Sequence, residues 1–180
     1  MKETIKAQGW YELQQYRFSS KFKAKISKVI GYFSESLRVK FRNKYAFLVT
    51  SMSINNGITN AGFAAMAGLV GDTGSVDPFN YLACGSSSTA FAASQTALLG
   101  EISTSGLSRA SATVSRVTTT QTNDTLQLTK TFTLSGSATV EEVGAFNASS
   151  SGVMLGRALT GTLTFVSGDE FVVTYKFKFT

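Results

Sequence analysis

The chain contains no histidine. Ser-His-Asp triads, Cys-His dyads, histidine metal sites and histidine proton shuttles are therefore excluded together, and most hydrolase mechanisms go with them. Cysteine is nearly as scarce. Cys84 stands alone, so no intrachain disulfide framework can form, and a structural zinc site, which needs several thiolate or imidazole ligands, is argued against. A lone cysteine of this kind reads as a small buried hydrophobe. Charged residues make up only 16% of the chain. No run of residues reaches the ~18 consecutive apolar positions of a membrane span, and Met1 to Lys6 lacks the uninterrupted apolar stretch of a secretion signal. The expectation is a protein made in soluble form in a cytoplasm.

What acidic chemistry remains is thin. The pairs Glu141-Glu142 and Asp169-Glu170 are adjacent in sequence, and neighbouring residues of a strand point to opposite faces, so neither forms the facing carboxylates a glycosidase requires. Structural roles fit both pairs, with a calcium site from Asp169, Glu170 and turn carbonyls as the functional alternative. Gly68 to Gly74 lacks a Walker lysine and GxGxxG spacing, and reads as a helix end followed by a turn. The sequons at Asn123 and Asn147 are short enough to arise by chance and carry meaning only with a secretory route. No enzyme, cofactor or metal site is expected.

What is present is a 180-residue chain with 43% hydrophobic residues, enough for a core. Its charge is unevenly placed. Residues 1–50 hold eleven Lys/Arg against three Glu, a net of +8, whereas residues 51–180 hold six against eight, a net of −2. The second part is rich in Ser, Thr, Gly, Ala and Val, the composition of strands with neutral outer faces. This division predicts a basic N-terminal arm with an amphipathic helix over residues 1–50 and a β-sandwich module over residues 51–180.

Within the first part, Phe22, Ile26, Val29, Ile30, Phe33 and Leu37 recur at helical spacing with lysines between them. From Leu37 to Val49 an alternation of Leu37, Val39 and Phe41 with Arg38, Lys40 and Arg42 predicts an extended segment. An apolar helix follows Asn60, the expected N-cap, and ends at Gly71-Asp72. Phe79 to Cys84 reads as a buried strand and Ser94 to Ser103 as a short helix. Beyond Gly106, strands are expected at about 108–120, 125–135, 138–147, 153–160, 162–167 and 170–179, mainly antiparallel because their connections are short. In the last, Phe171, Val173, Tyr175, Phe177 and Phe179 share the core face and Val172, Thr174, Lys176 and Lys178 the wetter one, and Lys176 and Lys178 would discourage edge pairing. The fold class is mainly β: an antiparallel β-sandwich or flattened barrel with two short helices, preceded by the basic arm.

One hairpin can be argued to register. A turn centred on Gly136 pairs Phe132 with Val140 and Lys130 with Glu142, placing the large apolar residues on one face with a single opposite-charge pair among them. Lys130 and Glu142 are thus an expected structural pair.

The basic arm, with aromatics interleaved among its cations, fits nucleic-acid backbone, an anionic membrane surface, an acidic protein partner, or simply a solvated face. Docking to a protein is the preferred reading, because the aromatics resemble anchors buried on assembly. The candidate docking residues are Lys21, Phe22, Lys25, Phe33, Arg38 and Phe41. Nucleic acid is not expected as a partner. Neutral strand faces predict a homo-oligomer, most simply a trimer.

Six segments carry a family resemblance: Ile58 to Ala64, Tyr81 to Ser86 leading into Thr96-Ala97-Leu98, Arg109 to Val114, Val140 to Asn147, Met154 to Arg157, and Val166 to Asp169. In order and spacing, residues 58–180 resemble small virion structural proteins of tailed bacteriophages, of the tail-fibre-like or head-decoration type. The resemblance implies a non-enzymatic, self-associating β-module located in the virion, such as a capsid auxiliary (decoration) protein or a tail or fibre component, whose partner is a major capsid or tail protein. The first 57 residues lie outside it, which makes the arm the expected attachment element. The alternative is a carbohydrate- or host-surface-binding adhesin. Trp10, the only tryptophan, lies in the arm, so an aromatic sugar platform on the sandwich would fall to Tyr81, Phe91 or Tyr175.

Overall fold

The computed structural model describes residues 7–19, 35–74 and 76–179. In chain order its elements are β1 (Ala7–Phe18), α1 (Glu35–Tyr45), β2 (Ala46–Asn55), β3 (Gly57–Ile58), α2 (Asn60–Gly71), β4 (Tyr81–Gly85), β5 (Ala110–Ser111), β6 (Thr113–Val117), β7 (Thr125–Thr133), β8 (Ala138–Phe146), β9 (Met154–Phe165) and β10 (Glu170–Phe179). Two antiparallel sheets result, in the orders β2-β1-β10-β7-β6 and β3-β9-β8-β4-β5. Their inner faces enclose one main core that includes Tyr11, Leu13, Leu128, Val143, Phe171 and Tyr175. This is the expected antiparallel β-sandwich. The alternation read in the last strand holds as far as Phe177, with Phe171, Val173, Tyr175 and Phe177 fully buried and Thr174, Lys176 and Lys178 half-buried. Phe179, expected on the same core face, is exposed at the strand's end, and Val172, expected on the wetter face, is buried.

The division at residue 50 does not match the sandwich. Ala7–Phe18, assigned by sequence to the arm, is an interior strand: it pairs along one side with β10 and along the other with β2. Gly9, Tyr11, Leu13 and Gln15 point inward and are buried. The period of two was present, but two of its inward positions are Gly9 and Gln15, which break the apolar pattern. Gly9 has no side chain because Asn56 occupies its place, an added Cβ falling 2.2 Å from the Asn56 Oδ1. Gln15 is tolerated inside because its Nε2 donates to the Thr164 carbonyl at 2.8 Å. With β10 enclosed between β1 and β7, Lys176 and Lys178 guard no edge. Lys176 instead donates to Glu12 at 2.6 Å, on the neighbouring strand.

The expected 125–147 hairpin is also absent. β7 pairs with β10 and β6, and β8 with β9 and β4, so the two strands belong to different sheets. Lys130 lies opposite Val173, and Glu142 opposite Gly85 and Leu159. Alternation fixed which residues of β7 face the core, and a strand entering the facing sheet preserves that alternation as well as a hairpin does. In β8 a bulge after Val140 breaks it: Val140, Val143 and Ala145 line the main core, whereas Phe146 joins a separate cluster with Ala83, Leu98 and Met154, and Glu142 meets Arg157. Backbone bonds decide the matter: Leu134 donates to the Asp169 carbonyl at 2.9 Å and Gly168 to the Leu134 carbonyl at 2.7 Å. Two of the connections that cross between the sheets, residues 134–137 and 166–169, are therefore bonded to each other.

Smaller differences follow local chemistry. Residues 35–45 are helical rather than extended, because Leu37, Phe41 and Tyr45 also recur every four residues and the Phe41 and Tyr45 rings meet at 4.7 Å. Arg42 and Lys44 occupy the last turn, where cations complement the helix dipole. The cap of α2 is Thr59, one residue before the expected Asn60: its hydroxyl accepts from the Gly62 amide at 2.9 Å and donates to the Met154 carbonyl. Residues 94–103 form turns and an isolated bridge rather than a helix. The two strands expected on either side of Thr160-Gly161 are one, β9, bulged where Gly161 takes a positive φ of 65°.

β1 generates the first prediction. Leu13→Ala empties a fully enclosed site, and should lower unfolding free energy by about 3 kcal/mol in urea titration. Deleting residues 1–18 should abolish cooperative unfolding altogether, as followed by far-ultraviolet circular dichroism. A truncated chain that unfolds like the full one would show that the arm division was right after all.

Candidate functional site

Four of the expected docking residues, Lys21, Phe22, Lys25 and Phe33, lie outside the described residues. Arg38 and Phe41 are in α1. The remaining pair, Lys130 and Glu142, is not brought together. What the structure assembles instead is two clusters of ion pairs and an apolar groove.

The first cluster forms where the sheets cross. Asp169 is fully buried and accepts two bonds from the Arg17 Nε at 3.1 Å, one from its Nη2 at 2.8 Å, and one from the Val166 amide at 3.1 Å. Hydrogen bonding to Asp169 pushes the Arg17 guanidinium to a still higher pKa than usual, outweighing the small opposing effect of burial. Next to it, Arg42 of α1 reaches Glu170 at 3.3 Å and lies 4.7 Å over the Tyr16 ring. Both acidic residues proposed for calcium are thus engaged by guanidinium groups. β1 and α1 are pinned to the start of β10.

The second cluster sits on the other sheet. Arg157 of β9 and Glu142 of β8 are fully enclosed and meet at 2.5 Å. Glu142 also accepts from the Gly100 amide at 2.7 Å, and Arg157 reaches the Gln95 side chain at 3.3 Å and the Ser87 carbonyl at 3.4 Å. The irregular segment 86–100 is held down by this pair. Gly85 leaves room for it, since a Cβ there would fall 2.3 Å from the Glu142 Oε1. Nearby, Arg109 stacks 3.6 Å from the Phe146 ring centre and bonds Glu101 at 2.6 Å.

The groove lies between α2 and the first sheet. It encloses about 210 Å³ and is bordered by Met66, Leu69, Val70, Val114, Phe177 and Phe179 among others, none of them charged. Val70 is 84% exposed and Val114 and Phe179 about half exposed. Contiguous exposed apolar patches are uncommon on protein surfaces away from binding sites. The sequence signal for it was the absence of any charge from Asn60 to Gly71, which had been read only as helix.

The aromatics proposed as a sugar platform are not gathered. Tyr175 is fully buried against Tyr11 with ring centres at 4.8 Å, and Phe91 covers Gly57. Burial pushes the Cys84 thiol and the Tyr11 and Tyr175 hydroxyls well above their ordinary pKa values, leaving them unreactive at neutral pH. No group of three or more His, Cys, Asp or Glu suited to a metal exists among the described residues, and no described helix is long and apolar enough to cross a membrane. Comparison of the chain with protein-family models, curated proteins and solved structures finds no match. The class defined is therefore that of the fold: a two-sheet antiparallel β-sandwich.

Two predictions follow from the charges. Arg157→Met alone should cost about 3–5 kcal/mol because Glu142 is left buried without its counter-charge, and Glu142→Gln with Arg157→Met together should cost markedly less. A double-mutant cycle in urea measures this, and additive losses would contradict a paired role. Asp124 tests acid stability. Desolvation raises its pKa, but amides of Gln121, Thr119 and Thr120 and the Thr125 hydroxyl together hold it well below the usual carboxylate range. Its stabilisation is complete above the unfolded value of ~3.9 and fades as pH falls through and below it. The stability gap between the native chain and Asp124→Asn should accordingly be constant from pH 7 to 5 and shrink below pH ~4, as read from urea midpoints at each pH.

Proposed function

We propose that this chain is a non-enzymatic structural protein of a bacteriophage virion, either a capsid auxiliary (decoration) protein or a tail- or fibre-associated component. It assembles in the host cytoplasm and docks through its basic N-terminal region to a major capsid or tail protein. The observation that carries this reading is where the buried charges go. Glu142, Asp169 and Glu170 each face a guanidinium that fastens one element to another, so the acidic residues with the most unusual surroundings serve the scaffold. The segments that resemble virion proteins map onto that scaffold. They supply β8 with Glu142, the start of β9 with Arg157, and the crossing that ends in Asp169.

Attachment through the N-terminal region remains compatible with β1 lying inside the sandwich. The exposed cations Lys40 and Lys44 of α1 are held beside the body by the Arg42–Glu170 contact, so a partner would meet a positioned helix and not a loose tail. Self-association through neutral surfaces fits the uncharged groove beside α2.

Immunogold electron microscopy of purified particles, using antibody against this chain, tests the reading. Labelling of the capsid or of the tail is the expected result. A chain absent from particles that binds defined glycans on an array would replace it with the adhesin alternative.

A further inference from the structure

The edges of the two sheets differ sharply. In the second sheet the edge strands β3 and β5 are two residues each, and in the first sheet β6 is five residues long and carries the exposed Arg116. Short or charged edges of this kind resist pairing with another chain. The fourth edge, β2, is different. It runs for ten residues from Ala46 to Asn55 without a charge or a proline, and among the described residues it pairs on one side only, with β1. Every second residue therefore directs its amide and carbonyl away from the sheet.

The side chains of β2 are open as well. Phe47, Leu48 and Val49 are 55%, 50% and 43% exposed. Met52 and Ile54 face the core yet are only partly covered, so the seam of the sandwich is open along this strand. Whatever covers it must supply an extended, neutral backbone with small polar and apolar side chains.

We propose that β2 pairs antiparallel with β2 of a second copy of this chain, joining two five-stranded sheets into one continuous sheet about a two-fold axis. The two strands match because they are identical: Ser51 and Ser53 lie exposed on the outer face, and Met52 and Ile54 of each copy extend the core of the other. Charge selects the antiparallel arrangement. The basic helix α1 leads directly into β2, and a parallel joint would set the two helices side by side. The two-fold joint places them at opposite ends, about 30 Å apart for ten residues of strand, beyond the ~10 Å range of screened repulsion. The contact deepens the self-association included in the proposed function by naming its surface, and it makes the basic unit a pair instead of the trimer expected from composition.

The test uses the purified full chain, so it stands apart from any failure to find the protein in virions. Sedimentation equilibrium should give twice the 19.2 kDa chain mass. Ser51→Lys with Ser53→Lys should give the single-chain mass with unchanged circular dichroism, and so should Ser51→Glu with Ser53→Glu. Mixing the two variants should restore the doubled mass, because opposite charges then face each other across the joint. Should the variants fail to fold, hydrogen exchange on the native chain decides: amides of residues 46–55 should exchange at least tenfold more slowly at high than at low protein concentration. A native monomer, a lysine variant that keeps the doubled mass, or concentration-independent exchange along β2 each overturns the proposal. Protection of β2 appearing only when other particle proteins are added would assign the edge to a foreign strand and overturn it equally.

Discussion

Everything in this fold depends on a strand from the start of the chain lying between two strands from elsewhere. β10, the last strand, would be the edge of its sheet if β1 were absent, and the core face formed by Phe171, Val173, Tyr175 and Phe177 would be flanked by water. β1 covers it with Tyr11 and Leu13, pairs along ten residues, and then offers its other side to β2. Because the two ends of the chain meet here, the pairing closes the longest loop available, which costs chain entropy before any local contact offsets it. The Arg17–Asp169 clasp is placed where that closure would otherwise loosen, at the crossing between sheets.

The same clasp reframes the charge distribution. The first fifty residues carry most of the positive charge, and at sequence level this resembles a detachable basic arm. Two of its cations are spent internally: Arg17 on Asp169 and Arg42 on Glu170. Lys176 and Glu12 add a further link between the two ends of the chain. Cations that secure the fold and cations that could meet a partner are interleaved on the same short segment, so charge counting cannot separate them. Burial does. Arg42 is enclosed, while Lys40 and Lys44, on the same helix, are exposed.

The legible part of the fold was the facing of side chains. Alternation in β10 and β7, the helix from Asn60 to Gly71 and most strand positions beyond residue 106 follow from local pattern, because pleat and helical period are local properties. In β8 the same pattern misled beyond Val140, because the bulge that turns Glu142 and Phe146 away from the main core leaves no mark in the sequence. Partner choice is not local. A strand with one apolar face satisfies it in a hairpin or against the opposite sheet, and Ser135 to Ser137 suits either connection. The ion pairs were hidden for the same reason: Glu142 and Arg157 stand fifteen residues apart, and Arg17 and Asp169 span nearly the whole chain. A residue such as Gln15, inward-facing yet polar, could have flagged a core position only if its acceptor, a carbonyl on the other sheet, were already known.

Inserting β1 also determines which edges remain. Lysines in β10 are placed as an edge strand's lysines would be, alternating along its outer face, but with β1 in position they face a covered ladder and bond Glu12 and Thr120. The exposed edge moves one strand outward, to β2, whose sequence has none of the charges that normally accompany such a position. A monomer selected for isolation would carry its protection there. In this chain the neutral edge and the basic helix before it are adjacent, so the feature that completes the core at one end of the sheet is the feature that leaves it able to grow.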